Sequence, residues 1–510
     1  MLARAWAATR QGVDGQPVEV EVHVSNGFPG FTIVGLPDAA VRESRDRVRS
    51  ALLSCGQRWP QRRVTVNLAP SGLRKAGPGL DLAIAVALLG AQGVVPPGAA
   101  EGLGFVGELG LDGSLRPVPG LLAMVLCLAS CVREGVVVPA GAAGEAGLGV
   151  GQRARPVPSL GVLIGVLRGE RRWPPLTGLA AAQGRSGEAA GGAGPWGEAD
   201  LAEVRGQQLG RRALEVAAAG RHHLLLVGPP GSGKTMLAQR LPGLLPDLDR
   251  EAALEVARVW SAAGLRWGEE GLPRRPPVRA PHHGITAVGL VGGGADLGPG
   301  EVSLAHRGVL FLDELGQVAP ATLQSLREPL DEGVVRVARA GVRAVLPASV
   351  LLVGAMNPCP CGEGLPGGWC RCRPAERARY LQRVSGPLLD RFDLVVGVPK
   401  VPVDELLSRA EGECTATVAA RVAAARARAA SRRAGPAGRD GLAGWSASAR
   451  ALLERQLRAG RLSARGAGKV AAVARTVADL GAEDEVGETA VAEALALRAG
   501  LGLLAPGGRW

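Results

Sequence analysis

The chain has little lysine, little asparagine and few aromatic side chains: four Lys (Lys75, Lys234, Lys400 and Lys469), three Asn, one Tyr and five Phe among 510 residues. It also lacks an apolar run long enough to span a bilayer. The best, LLAMVLCLASCV at 121–132, falls well short of the roughly twenty residues a crossing needs. The opening residues, MLARAWAATRQGVDGQ, carry no apolar signal core. Nor is there a disulfide framework, since Cys55, Cys127, Cys131 and Cys414 are scattered. These absences argue against a secreted, disulfide-stapled or membrane-embedded protein. A cytoplasmic protein with reduced thiols and no membrane partner is expected.

Arginine and glycine are abundant, at 55 and 76 residues, and the net charge is +12. A basic balance points to a polyanion such as nucleic acid. Arginine in place of lysine, with excess Gly and Ala, is also what a GC-rich coding sequence produces, so charge alone carries little. No base-reading motif or aromatic stacking platform is visible.

At this length two or three domains are expected. Residues 1–168 alternate β-type and helical patterns. VEVEVHVS (18–25) has period two, GFTIVGLP is a short apolar strand, and Asp38 is placed to cap the helix AAVRESRDRVRSALLSCG, with Gly56 at its end. RRVTVNLAP reads as a strand and LDLAIAVALLGAQG as a buried helix, giving an α+β domain. Residues 169–197 are rich in Gly, Ala, Pro and Arg without periodicity and read as a linker. Residues 198–400 read as a parallel α/β domain, and 401–510 as an Ala/Arg/Leu-rich helical one.

The strongest chemical signal is HLLLVGPPGSGKTMLAQRL. An apolar strand runs into Gly228, Pro229, Pro230, Gly231, Ser232, Gly233, Lys234 and Thr235, and then into a helix. Glycines let successive backbone N–H groups curl around phosphates, and the helix start favours negative charge. Lys234 is expected to reach the β- and γ-phosphates of ATP, and the Thr235 hydroxyl to ligand Mg²⁺.

GVLFLDELG (308–316) is a buried strand ending in Asp313 and Glu314. Asp313 is expected to hold the metal through water and Glu314 to activate the attacking water; a plain turn or cap is the bland alternative. SVLLVGAMNP ends in Asn357, which reads as a γ-phosphate sensor or as a turn residue before Pro358. Asp390-Arg391 precedes another strand, and Arg391 is expected to act as a finger on a neighbouring subunit's γ-phosphate. Arg465, in RLSARGAGKV near a helix start, reads as a second sensor or as a solvated helix charge.

Beside Asn357 lie Cys359-x-Cys361 and Cys370-x-Cys372. Two such pairs on a Gly/Pro-rich loop supply four thiolates, enough for a tetrahedral Zn²⁺ site, with free thiols as the alternative. About seventy residues separate the phosphate-loop helix from the acidic strand, more than a compact crossover needs. His282 and His283 fall there. Adjacent histidines rarely converge on one ion, so a structural or pore-loop role is expected of them.

The order of the phosphate loop, RAPHHGITAVGLVGGGADLGPGEVSLAHRGVLFLDEL, AMNPCPCG, SGPLLDRFDL and LSARGAGKVAAVARTVADL resembles the ComM/YifB family of magnesium-chelatase-like AAA+ proteins. SNGFPGFTIVGLPDAAVRESRDRVRSAL and RVTVNLAP resemble the same family, so the likeness covers nearly the whole chain. The resemblance implies a hexameric AAA+ ring with a helical lid, a Lon-protease-like (S5-like) N-terminal domain, a helix-2 insert facing the pore, and ATP-driven branch migration on single-stranded or branched DNA. In LRKAGPGLDLA (73–83), similar to the Lon nucleophile stretch, Gly79 stands where that family has its serine. Glycine cannot be acylated, and Ser71 is displaced along the loop, so proteolysis is rejected. The alternatives are a protein-remodelling ATPase of the same motor class, a metal-chelatase motor subunit and a non-catalytic DNA-binding scaffold.

Overall fold

A computed structural model of the chain describes residues 1–176, 196–265, 271–294, 297–339, 342–364, 370–407, 412–434 and 444–504. Most of the stretch expected to be a linker, 177–195, lies outside the described residues.

The N-terminal part is built on a seven-stranded sheet. Its spatial order is Gly30–Val34, Arg63–Ala69, Asp14–Ser25, Leu2–Gln11, Leu103–Phe105, Gly135–Pro139 and Ala154–Val157. Strands Leu2–Gln11 and Asp14–Ser25 form an antiparallel hairpin whose register runs from Leu2 opposite His23 to Gln11 opposite Asp14. The period-two pattern does what it should: Val18, Val20, Val22 and Val24 are buried on one face. Asp38 caps helix Ala39–Ser54 by accepting the Val41 N–H at 2.8 Å, and Gly56 follows its end with φ +72°. Helices Asp81–Ala91 and Leu121–Cys131 are apolar almost all round because they are core elements. Among the described residues no helix is long and apolar enough to cross a membrane.

The second sheet has five strands in the order Val278–Arg279, Val309–Leu312, Leu351–Met356, Leu224–Val227 and Leu394–Gly397. Every neighbouring pair is parallel. Such a sheet is covered on both faces, so its strands read as continuous apolar runs rather than alternating ones. Leu224 and Leu226 point into one core, with Val309, Phe311 and the helices Gln208–Gly220, Thr415–Ala434 and Ala464–Leu480. Leu225 and Val227 point into the other, with Leu310, Leu312 and helix Arg250–Ala262. The C-terminal helices therefore share one continuous core with the sheet.

Two ribbons leave this layer. Gly292–Gly293 pairs with Gly298–Pro299 within the long stretch before the acidic strand. The longer ribbon, Val334–Arg339 with Val342–Pro347, lies between the acidic strand and the strand leading to Asn357 and was not among the elements expected from the sequence. The Gln11 side chain at the N-terminal hairpin donates to the Arg343 carbonyl of this ribbon.

A second joint connects the two sheets' surroundings. The Gly120 N–H donates to the Ser261 carbonyl at 2.7 Å, and the Leu122 N–H reaches both Glu145 Oε1 (3.0 Å) and Ser261 Oγ (3.3 Å). Ser261, in helix Arg250–Ala262, thus satisfies first-turn donors of helix Leu121–Cys131, which has no side-chain cap of its own.

Candidate nucleotide site

Because the five strands are parallel, their carboxyl ends deliver chemistry to one edge, where ligands of open α/β sheets bind. Strand Leu224–Val227 ends at Gly228, whose N–H donates to the Met356 carbonyl at 3.1 Å. A Cβ at Gly228 would stand 2.2 Å from the Val398 carbonyl oxygen, so the close passage of two backbones requires glycine there. Gly231 and Gly233 take φ +72° and +93°, which turns the loop into helix Lys234–Arg240.

The Lys234 ammonium folds back into this loop. It donates to the carbonyls of Gly228 and Pro229, each at 2.8 Å, and to Asn357 Oδ1 at 3.2 Å. Desolvation lowers its pKa, against the opposing pull of Asp313 and Glu314. Thr235 Oγ1 donates to Asp313 Oδ2 at 2.9 Å, and Asp313 Oδ1 accepts the Glu314 N–H at 2.8 Å. A buried cation, a hydroxyl and two carboxylates with a glycine-rich cradle fit a nucleotide triphosphate and Mg²⁺. Ser232 Oγ, buried in the cradle without a partner, is a further polar atom left for a ligand to satisfy.

Glu314 has φ +49°, an uncommon conformation for a residue with a side chain. Its Oε2 lies 3.3 Å from His283 Nδ1. The histidine expected to be structural or pore-lining thus sits against the carboxylate expected to activate water. Val278–Arg279 neighbours the acidic strand, so the loops after the two strands emerge side by side.

Asn357 follows the central strand Leu351–Met356, and its Oδ1 accepts from the Lys234 ammonium. Tyr380, the only tyrosine, hydrogen-bonds the Asn357 backbone, and burial pushes its pKa up to about 12. Its ring fills the space that a side chain at Gly316 would need.

Arg391 and Arg465 are not among the groups that meet Lys234. They meet each other's partner instead: Arg391 pairs with Asp331 Oδ2, and Arg465 Nη2 lies 3.1 Å from Asp331 Oδ1. Arg391 also donates to the Pro387 carbonyl, while its Nε is buried without a partner. Lys469 donates to the Arg391 carbonyl at 2.9 Å, which ties helix Ala464–Leu480 to the loop that carries Arg391.

The four clustered cysteines converge, their sulfurs all lying within 4.8 Å of one another. Cys359 is buried, Cys372 half-buried, and Cys361 and Cys370 exposed. Backbone N–H groups of Glu363 and Arg371 favour the Cys361 thiolate, pulling its pKa down to about 6.

A phosphate loop at the carboxyl end of a parallel-sheet strand, with an acidic pair and a polar amide on neighbouring strand ends, defines a P-loop nucleotide-binding protein. Family models agree in three stretches. "Magnesium chelatase, subunit ChlI" matches residues 200–406, "Subunit ChlI of Mg-chelatase" residues 20–142, and "Magnesium chelatase, subunit ChlI C-terminal" residues 412–498. An uncharacterized protein of Mycobacterium tuberculosis is 46% identical over 509 residues, 98% of both chains. The competence protein ComM of Haemophilus influenzae is 39% identical over 515 residues, covering 99% of this chain and 98% of its own. A probable DNA helicase, MCM9 of Arabidopsis thaliana, is 27% identical over 177 residues, 35% of this chain and 22% of its own. The chain belongs to the ComM/YifB family of magnesium-chelatase-like AAA+ ATPases.

Proposed function

We propose that this protein is an ATP-hydrolysing motor that assembles as a hexameric ring and acts on single-stranded or branched DNA, driving branch migration in recombination. The observation that carries the reading is a division of charges. Lys234, Thr235, Asp313, Glu314 and Asn357 gather at one sheet edge, whereas Arg391 is engaged with Asp331 outside that group. In this reading the arginine comes from another copy of the chain, and Arg391 is the group that would supply it. The DNA partner rests on the name of the competence relative, the shorter match to a probable DNA helicase, and the net charge of +12.

Thr235 and Asp313 would hold Mg²⁺, which supplies charge neutralisation at the phosphates when bound. Lys234 exchanges the loop carbonyls for phosphate oxygens. Glu314 accepts a hydrogen bond from the attacking water and orients it, while His283 sets the direction of that carboxylate. Asn357 contacts the γ-phosphate side of Lys234, and Arg465 reads the same nucleotide from the helical segment. We also assign Zn²⁺ to Cys359, Cys361, Cys370 and Cys372. In this reading residues 1–168 form a Lon-protease-like domain without a nucleophile, 198–400 the AAA+ core and 401–510 its lid.

The experiment is ATP turnover by the full chain, alone and with single-stranded, duplex and forked DNA, at low and moderate salt. Stimulation that falls steeply with salt is expected for a motor tracking phosphates. Glu314→Gln is expected to lower turnover by roughly 10²-fold or more while nucleotide still binds. The descriptions of the three family models favour a second reading, the motor of a metal chelatase. Turnover indifferent to every DNA would favour that reading or a protein-remodelling one.

A further inference from the structure

Four thiols within 4.8 Å of one another have few chemical reasons to be there. They are not disulfides: Cys359 Sγ is 3.3 Å from Cys361 Sγ and 3.7 Å from Cys370 Sγ, and Cys361 Sγ is 3.8 Å from Cys370 Sγ, against about 2.05 Å for a bond. Thiols are weak hydrogen-bond donors, so mutual contacts do not account for the cluster. Sulfurs arranged tetrahedrally about Zn²⁺ at about 2.3 Å would stand about 3.8 Å apart, which is the separation two of these pairs adopt and the third approaches. The Cys361 N–H also points at Cys372 Sγ, at 3.4 Å, which brings the fourth sulfur into the same turn.

The position of this cluster matters as much as its geometry. Gly362 has φ +85°, and a Cβ built on it would lie 2.4 Å from Pro230 Cδ and 2.9 Å from its Cγ. The cysteine loop is therefore seated directly on the phosphate loop. Glu363 pairs with Lys400 at 2.6 Å, fixing the same turn to the segment that follows the outer strand Leu394–Gly397. Two residues before Cys359, Asn357 holds the Lys234 ammonium. The turn thus touches the nucleotide cradle from both sides, through Pro230 and through Asn357.

We propose that Zn²⁺ bound by Cys359, Cys361, Cys370 and Cys372 clamps the turn at Gly362 onto Pro230, so that zinc occupancy sets the nucleotide affinity of the phosphate loop. The inference rests on the ATP-binding reading and the zinc assignment given above, and adds to them a control of one site by the other. Without the ion, four thiols have no common partner, and the turn between them loses the constraint that holds it against the proline ring. The phosphate loop then pays more ordering entropy when nucleotide binds.

The test uses the full chain purified without chelator. Metal content by mass spectrometry is expected at about one zinc per chain, released on titration with a mercurial. Affinity for a fluorescent ATP analogue is expected to fall about tenfold, or roughly 1.4 kcal/mol, in the stripped protein and to return when zinc alone is added back. Gly362→Ala keeps all four ligands and disturbs the turn at its seat on Pro230, both by the clash and by the left-handed φ that alanine disfavours. It is expected to retain zinc and yet lose about the same affinity, with circular dichroism verifying its fold. Absence of stoichiometric zinc, before and after zinc addition, overturns the metal site. Zinc that binds in full while stripped protein and Gly362→Ala hold nucleotide as tightly as the parent overturns the coupling. Failure of every form to bind nucleotide defeats the ATP-binding reading and the coupling with it, while the zinc content still decides the metal site on its own.

Discussion

Two of the four lysines occupy closely comparable settings and teach opposite lessons. Lys75 and Lys234 both follow glycine- or proline-containing loops, both are buried, and both aim the ammonium at carbonyls of their own loop: Lys75 at Pro70, Lys234 at Gly228 and Pro229. Desolvation lowers the pKa of each. Only Lys234 has carboxylates pulling the other way, from Asp313 and Glu314, and only its loop opens a cradle lined by a second strand's amide. Beside Lys75 the position expected to hold a nucleophile is Gly79. A buried amine is thus a chemical group or a structural peg according to its neighbours, not its own properties.

The same replacement at both positions breaks the comparison most sharply. Lys234→Met is expected to abolish nucleotide hydrolysis, by roughly 10³-fold, in a steady-state assay. Lys75→Met keeps the volume and removes a charge that has no ionic partner among its hydrogen bonds. It is expected to leave turnover within about twofold and to change stability in denaturant by no more than ~1 kcal/mol. A large loss of turnover in Lys75→Met would show that the N-terminal loop takes part in the chemistry.

Next in size is the pair of arginines on Asp331. If that carboxylate holds Arg391 ready for a neighbouring copy's nucleotide and Arg465 for the nucleotide of its own chain, Asp331→Ala is expected to lower kcat by about tenfold with KM almost unchanged. An unchanged kcat would separate Asp331 from the reaction.

A smaller effect concerns pH. His223 Nδ1 accepts the Leu352 N–H at 3.1 Å, which requires the neutral ring, and desolvation lowers its pKa to about 4 against the pull of Asp393. Its folded pKa is therefore below the ordinary value of about 6.5, so its contribution to stability is complete above that pH. Thermal unfolding between pH 7 and 4 is expected to show stability falling through this window, and less steeply in His223→Asn.

The smallest expected effect sharpens the other half of the comparison. A Cβ on Gly79 would meet Met124 Sδ at 3.5 Å and Val118 Cγ2 at 3.6 Å, ordinary contacts. Gly79→Ser is expected to fold within about 1 kcal/mol of the parent and to show no peptidase turnover, because restoring the hydroxyl does not supply a base.

Much of this was readable from residues in order. Val18 to Val24 announced their strand by period two, Asp38 its helix by capping chemistry, and Lys234, Thr235, Asp313 and Asn357 their meeting by lying at apolar strand ends. What escaped depends on which strands are neighbours. His283 reaches Glu314 because Val278–Arg279 pairs with Val309–Leu312, an adjacency no local pattern encodes. Arg391 and Arg465 are far apart in the chain and share Asp331, which drew no attention as one acid near a helix end. The ribbon of Val334–Arg339 and Val342–Pro347 had a visible sign, valines alternating with arginine and alanine, but its strands pair only with each other and so left no mark on either large sheet.

Ser261 has a consequence of a mechanical kind. Its carbonyl and hydroxyl take the first-turn N–H groups of helix Leu121–Cys131, so the N-terminal layer borrows a cap from the layer that carries the phosphate loop. Moving helix Arg250–Ala262 away from helix Leu121–Cys131 would break hydrogen bonds that water cannot replace where they are buried. At this joint the two layers are coupled like meshed teeth, and turning one against the other would cost those hydrogen bonds.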